Sequence, residues 1–279
     1  MVVTSSQRAI FVAVPALCFC LASCETDTAP KPGTPPYLWA RAVEAASAGD
    51  VAKAVEQLDK VASSNGEYRL RGQAWMLVLT SGLARGYADL GDAFATGARA
   101  NKAGPTPFRK QATTYRGLAN RYGLQVAEVI AEFEKGAEES IPLAFPFPAG
   151  TAAQVAQLTK VHAGILPSPA ELAPAEKRSI ERGVLLATCR AAGSAEDAAK
   201  TQELFKSPTP QVARPVFQLA MAQTLYDQSQ LYGPTKMDEP EKLKLFCNRA
   251  LVSVKKVPES KQTKELIAKI NDALKKAKS

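Results

Sequence analysis

Apolar positions recur along this chain at three- and four-residue intervals, and nowhere do they alternate over a length that would make a convincing strand. Val51, Ala54, Val55, Leu58 and Val61 line one face of a helix over 51–63. A long helical stretch over 67–100 carries Trp75, Val78 and Leu79, then Leu83, Tyr87, Leu90, Phe94 and Ala98 on one stripe. Gly82 and Gly86 inside it mark either a break between two helices or a close crossing. The same periodicity predicts helices over 37–48, 107–122, 124–139, 151–163, 170–191, 195–205, 210–231, 239–256 and 260–277. Gly49-Asp50, Asn65-Gly66, Gly104-Pro105 and Gly233-Pro234 supply the turns. The fold class read from this is all-α, with antiparallel helix hairpins stacked on their neighbours to bury their apolar faces.

One segment breaks the pattern. In Ser140-Ile141-Pro142-Leu143-Ala144-Phe145-Pro146-Phe147-Pro148-Ala149-Gly150 three prolines forbid a helix and keep the chain extended, while every second residue is strongly apolar. Alternation sends Phe145 and Phe147 to the same side. An apolar loop must dock somewhere: into a groove of its own body, onto a partner, or against a membrane or hydrophobic ligand. Tyr37, Trp39 and Tyr68 lie near the first hairpin. Tyr37 and Trp39 join Phe145 and Phe147 as candidate partner-binding residues, with core filling as the alternative role for all of them.

The first residues read as an address. Arg8 is the only charge before Glu25, and an apolar run from Ala9 to Ala22 is interrupted only by Pro15. The run ends in Leu21-Ala22-Ser23-Cys24, which resembles the bacterial lipobox, where small residues precede a Cys that is lipidated and becomes the first mature residue. That resemblance implies a signal peptide over 1–23, a palmitate-bearing lipid anchor on Cys24, and a place in the bacterial cell envelope. Glu25 is not the Asp that retains some lipoproteins in the inner membrane, which favours the outer membrane, facing the periplasm. Residues 24–36, rich in Pro and without apolar periodicity, form an extended tether. At about 3 Å per residue it holds the body at 37–279 a few nanometres off the bilayer.

Gly49-Asp50-Val51-Ala52-Lys53-Ala54-Val55-Glu56-Gln57-Leu58 resembles the turn and second helix of a tetratricopeptide repeat, in which Gly-Asp closes the hairpin and a small residue lets the two helices approach. The helix before it departs from the repeat at Trp39 and Arg41, and no strict repeat period runs through the middle of the chain. A helix from Pro240 to Lys256, Pro258, and a lysine-rich last helix resemble the solvating end of such arrays. Together these imply a degenerate tetratricopeptide-like α-solenoid. Arg71-Gly72 recurs as Arg182-Gly183, and Pro105-Thr106-Pro107 as Pro208-Thr209-Pro210, suggesting a duplicated half.

Composition narrows the chemistry. The 279 residues carry 35 Lys+Arg against 27 Asp+Glu, and the last 39 residues alone hold eleven basic and four acidic side chains. That Lys-rich end suits either a solvated helix face or a contact with an acidic partner or anionic surface. Nucleic acid is not expected of an exported protein without interleaved aromatic and basic residues. A single His excludes two-His metal sites and a Ser-His-Asp triad, and no metal or cofactor motif is present. Ser253-Val254-Lys255-Lys256 has the bare spacing of a penicillin-binding motif without its companions. Glu128 and Glu132 read as a solvated face, and His162 as a residue closing a helix. Cys189 and Cys247 remain after processing, either bridged or as buried free thiols.

The expectation is therefore a non-enzymatic, lipid-anchored scaffold that binds other envelope proteins, without a cofactor. The alternative is a ligand-binding lipoprotein serving a periplasmic transport system, with a through-channel or closed pocket lined by Phe108, Tyr115 or Phe145.

Overall fold

The computed structural model describes residues 30–277. The signal, the lipobox and Cys24 lie outside the described residues. Among the described residues are ten α-helices: α1 (Pro35–Ser47), α2 (Val51–Ala62), α3 (Glu67–Ala100), α4 (Thr106–Phe133), α5 (Gln157–His162), α6 (Pro169–Ala191), α7 (Ala198–Phe205), α8 (Arg214–Ser229), α9 (Pro240–Lys255) and α10 (Lys261–Lys276). A single 3-10 turn, Gln230–Tyr232, follows α8. The fold class is all-α.

Local chemistry sets most helix ends. Gly49, at φ +81°, closes α1, and Asp50 then accepts from the Lys53 N–H to start α2. Ser168 and Glu171 form a capping box at α6, with Pro169 pre-set for the first turn. Ser260 and Thr263 form another at α10.

The longest helix, α3, is the centre of the fold. It packs against α2, α4 and α6, and also touches α1, α5 and α8. Gly82 and Gly86 do not break it; they are a close crossing. A Cβ on Gly82 would lie 2.5 Å from the Cα of Val184, and one on Gly183 would run into the Gly82 carbonyl and lie 2.9 Å from the Gly86 nitrogen. Across this bare contact Ser179 donates to the Gly86 carbonyl at 2.9 Å. The second Arg-Gly pair therefore serves the α6–α3 crossing. The first serves the α2–α3 crossing, where Gly72 lies against Val61 and Ala62. Towards the C-terminus, α8 packs on α9 and α9 on α10, while α4 and α6 join this second group through α8.

Several boundaries differ from the periodicity. The expected helices 107–122 and 124–139 are one helix ending at Phe133. Gly123 stays helical because its bare face meets Gln228 and Phe246. The expected helix 151–163 shrinks to Gln157–His162. Thr151 instead accepts locally from the Ala153 N–H, and the Ala152 carbonyl is taken by Arg182. The start at 195 gives way to Ala198, because Ala195 and Glu196 adopt φ of 50° and 71° and Asp197 becomes the cap.

Two strands also appear where none was expected. β1 (Ser140–Pro142) and β2 (Gln211–Ala213) pair antiparallel, with Ile141 opposite Val212. Three residues are too few for alternation to show, and the partners are distant in sequence. Cys189 and Cys247 are free and buried, so of the two readings of the thiols the unbridged one holds.

Candidate functional site

The ladder between β1 and β2 decides where the Pro-rich loop goes. Leu143 extends it by donating to the Pro210 carbonyl at 2.7 Å, and Ile141 and Leu143 are inserted in the core. Arg214 fixes the approach from α4. Its guanidinium lies 4.6 Å over the Phe133 ring, donates to the Phe133 carbonyl at 3.2 Å, and pairs with Glu138 at 2.6 Å. A fork of this kind satisfies a helix end and a loop at once.

Beyond Leu143 the chain meets aromatic rings. Phe145 stacks on Trp75 with centroids 4.4 Å apart and meets Trp39 edge-on at 5.3 Å. Trp39 in turn contacts Tyr68. Phe147 sits edge-on to Phe205 at 5.3 Å, and Phe205 reaches Trp75. Three of the four candidate residues, Trp39, Phe145 and Phe147, thus belong to one cluster. Tyr37, half-buried in the first turn of α1, makes no ring contact with it among the described residues. Phe145 is buried, whereas Phe147 stays half-exposed. The loop therefore docks on its own body through Ile141, Leu143 and Phe145, and leaves Phe147 and two prolines at the surface.

What this docking leaves open is a cavity of about 380 Å³. Trp75, Leu79 and Val184 form its floor, the α1–α2 turn with Gly49 and Val51 one wall, and Phe145 to Ala149 the other. Lys177 and Glu181, one turn apart on α6, are its charged rim. Trp75 is fully buried, and its shielded indole N–H has no acceptor among the described residues. An apolar space with a few polar groups at the edge suits an apolar side chain or a small apolar ligand.

The other candidates lie elsewhere. Phe108 and Tyr115 are core residues packed on Phe94. Ser253 donates to Glu134, whose other oxygen pairs with Lys256 at 2.8 Å. The SxxK spacing thus forms a clamp between the end of α4 and α9. Glu128 and Glu132 line a polar cavity with Asp59, Arg69 and Gln73, where the hydrogen bond from Lys135 holds Glu132 below the usual carboxylate range. His162, in the last turn of α5, borders a smaller cavity beside Asp89 and Arg182. Burial raises the Asp89 pKa against the opposing charges of Arg182 and Arg85. No His, Cys, Asp and Glu grouping fit for a metal exists among the described residues.

Phe205, Lys177 and Glu181 are parts of the site that the sequence did not single out. Phe205 is a lone aromatic before Ser207-Pro208-Thr209-Pro210. Lys177 and Glu181 lie in a run of charges typical of a solvated helix face. Only the contact between α6 and the loop sets them apart.

No family model, no curated protein and no solved structure matches this chain. Among the described residues no helix is long and apolar enough to cross a membrane.

Proposed function

We propose that this chain is a lipid-anchored envelope protein whose helical body acts as an interaction scaffold. In this reading Cys24 carries the anchor, residues 24–34 are the tether, shortened from the expected 24–36 because Pro35 and Pro36 form the first turn of α1, and the body is a degenerate tetratricopeptide-like stack facing the periplasm from the outer membrane. Its partners are other envelope proteins, held at raised effective concentration because both sides are confined to one interface. No catalysis and no cofactor are invoked.

The observation that carries the reading is the half-exposed Phe147 beside the apolar cavity. A partner side chain entering between the α1–α2 turn and the loop would find Trp75 and Val184 beneath it and Lys177 and Glu181 at the rim. Buried aromatic anchors ringed by polar groups are the usual centre of a binding surface.

The test is a photo-crosslinking residue placed at position 147 in the native host, with Lys269 on α10 as the control position. The expected result is a defined envelope-protein adduct from 147 and none from 269. Equal adducts from both, or a co-purified small molecule in place of any protein, would favour the transport-system alternative or no specific site.

A further inference from the structure

A second groove lies at the far end of α3. Twenty residues separate Trp75 from Ala95, which is about 30 Å along a helix. The last turns of α3, the loop to α4 and the first turns of α4 border an open groove of about 630 Å³, with Thr235 on its edge and Arg99, Lys102 and Arg109 exposed along it. Its floor is small, formed by Ala95, Ala98 and Ala112, and its walls carry Arg99, Lys102, Arg109 and Arg116. Among the described residues no carboxylate and no aromatic ring lines it.

The charge balance here is unlike that on the neighbouring face of α3. There, Arg85 pairs with Glu196, Arg182 with Asp89, and Arg190 with both Glu196 and Asp227. Around the groove, Arg99, Lys102 and Arg109 make no ion pair among the described residues, and Arg99 has only the Thr96 hydroxyl at 2.9 Å. Arg116 is held in the wall by the Lys236 carbonyl at 3.1 Å. Asp92 is shared: it lies 3.4 Å from Arg116 but 2.6 Å from Lys236, so the guanidinium is only partly compensated. Like charges gathered without counter-charge repel one another, and an anion between them removes that repulsion.

We propose that this groove binds a phosphate-bearing anion through the guanidinium groups of Arg99, Arg109 and Arg116 and the ammonium of Lys102. Three arginines against one lysine favour phosphate, because a planar guanidinium presents two parallel N–H donors to two phosphate oxygens. The missing aromatic ring argues against recognition of a base or a sugar face, so the ligand is read by its charge. Neutral net charge over 24–240 conceals this cluster, since paired acids elsewhere on the chain balance it in the sum.

Calorimetric titration of the full chain with inorganic pyrophosphate, and separately with water-soluble dihexanoyl phosphatidylglycerol, tests this. Saturable binding of one or both probes is expected; the tighter one identifies a free phosphate or a lipid head group as the source. Arg99→Glu with Arg109→Glu is expected to weaken binding about tenfold or more, as loss of charge-assisted contacts does. Lys255→Glu with Lys269→Glu makes the same change in net charge on α9 and α10 and is expected to leave binding within about twofold. Arg109→Ala alone, a milder change at an exposed position, is expected to weaken binding in the same direction if the double variant folds poorly. No saturable binding of either probe, or equal weakening by the two double variants, would overturn the proposal.

Discussion

Tyr87, Tyr115 and Tyr122 show how much a single ionisable side chain in this fold depends on its surroundings. The rings of Tyr115 and Tyr122 both lie parallel to that of Tyr87, at 6.2 Å and 5.8 Å, and Tyr115 donates to Glu176 at 3.3 Å. Burial, with Glu176 and Tyr122 close by, pushes the Tyr87 pKa up from 10 to about 12, and burial with Glu176 and Tyr87 close by raises Tyr115. A phenol harder to ionise when folded contributes stability that is intact below its unfolded pKa. That stability is lost as pH rises towards the folded value. The urea midpoint should therefore fall steadily between pH 10 and pH 12, and Tyr87→Phe should flatten that fall while leaving the neutral-pH midpoint little changed. Glu196 is a second such group. Burial would raise Glu196, but the hydrogen bond from Arg85 and the charges of Arg85 and Arg190 hold it low. That pairing anchors the left-handed Ala195-Glu196 turn, and nothing in the local sequence announced it.

Among the elements, α3 depends most on what it lacks. At its crossing with α6 three glycines let backbone meet backbone, and a methyl group on Gly183 has no free space. Gly183→Ala should cost about 1–3 kcal/mol in urea unfolding, the usual range for overpacking. Gly117→Ala, on α4 where a Cβ meets nothing within 4 Å, should gain up to about 1 kcal/mol from helix propensity. If both substitutions proved neutral, the crossing would not be as tight as described. The sequence made this element legible in part. The stripe from Leu83 to Ala98 placed the helix, and the glycines offered either a break or a crossing. Only a neighbouring helix could decide between them. The ladder of β1 and β2 was illegible for the same reason: three residues carry no period, and their pairing joins segments about seventy residues apart.

At the scale of the whole molecule, periodicity was enough for the all-α class and for most helices, because amphipathic spacing records burial directly. The site was half legible. Phe145 and Phe147 stood out because apolar residues between prolines must dock, and Trp39 because it is an aromatic in the first hairpin. Which ring would be swallowed and which left at the surface depended on the depth set by Arg214 and the ladder. The proposed anchor on Cys24 belongs to this scale too. Cys24→Ala should abolish incorporation of labelled palmitate and release the chain from the membrane fraction; continued incorporation would show that lipid is attached elsewhere. Both tryptophans of the chain, Trp39 and Trp75, lie in the aromatic cluster, so their emission reports on this site and no other. The most direct measurement is therefore the tryptophan emission of the full chain during titration with the protein captured from position 147. A saturable shift is expected, and Phe147→Ala should remove it while lowering stability only by about 0.5–1.5 kcal/mol, the worth of its edge-on contact with Phe205. Saturable binding that leaves the emission of both tryptophans unchanged would contradict this expectation.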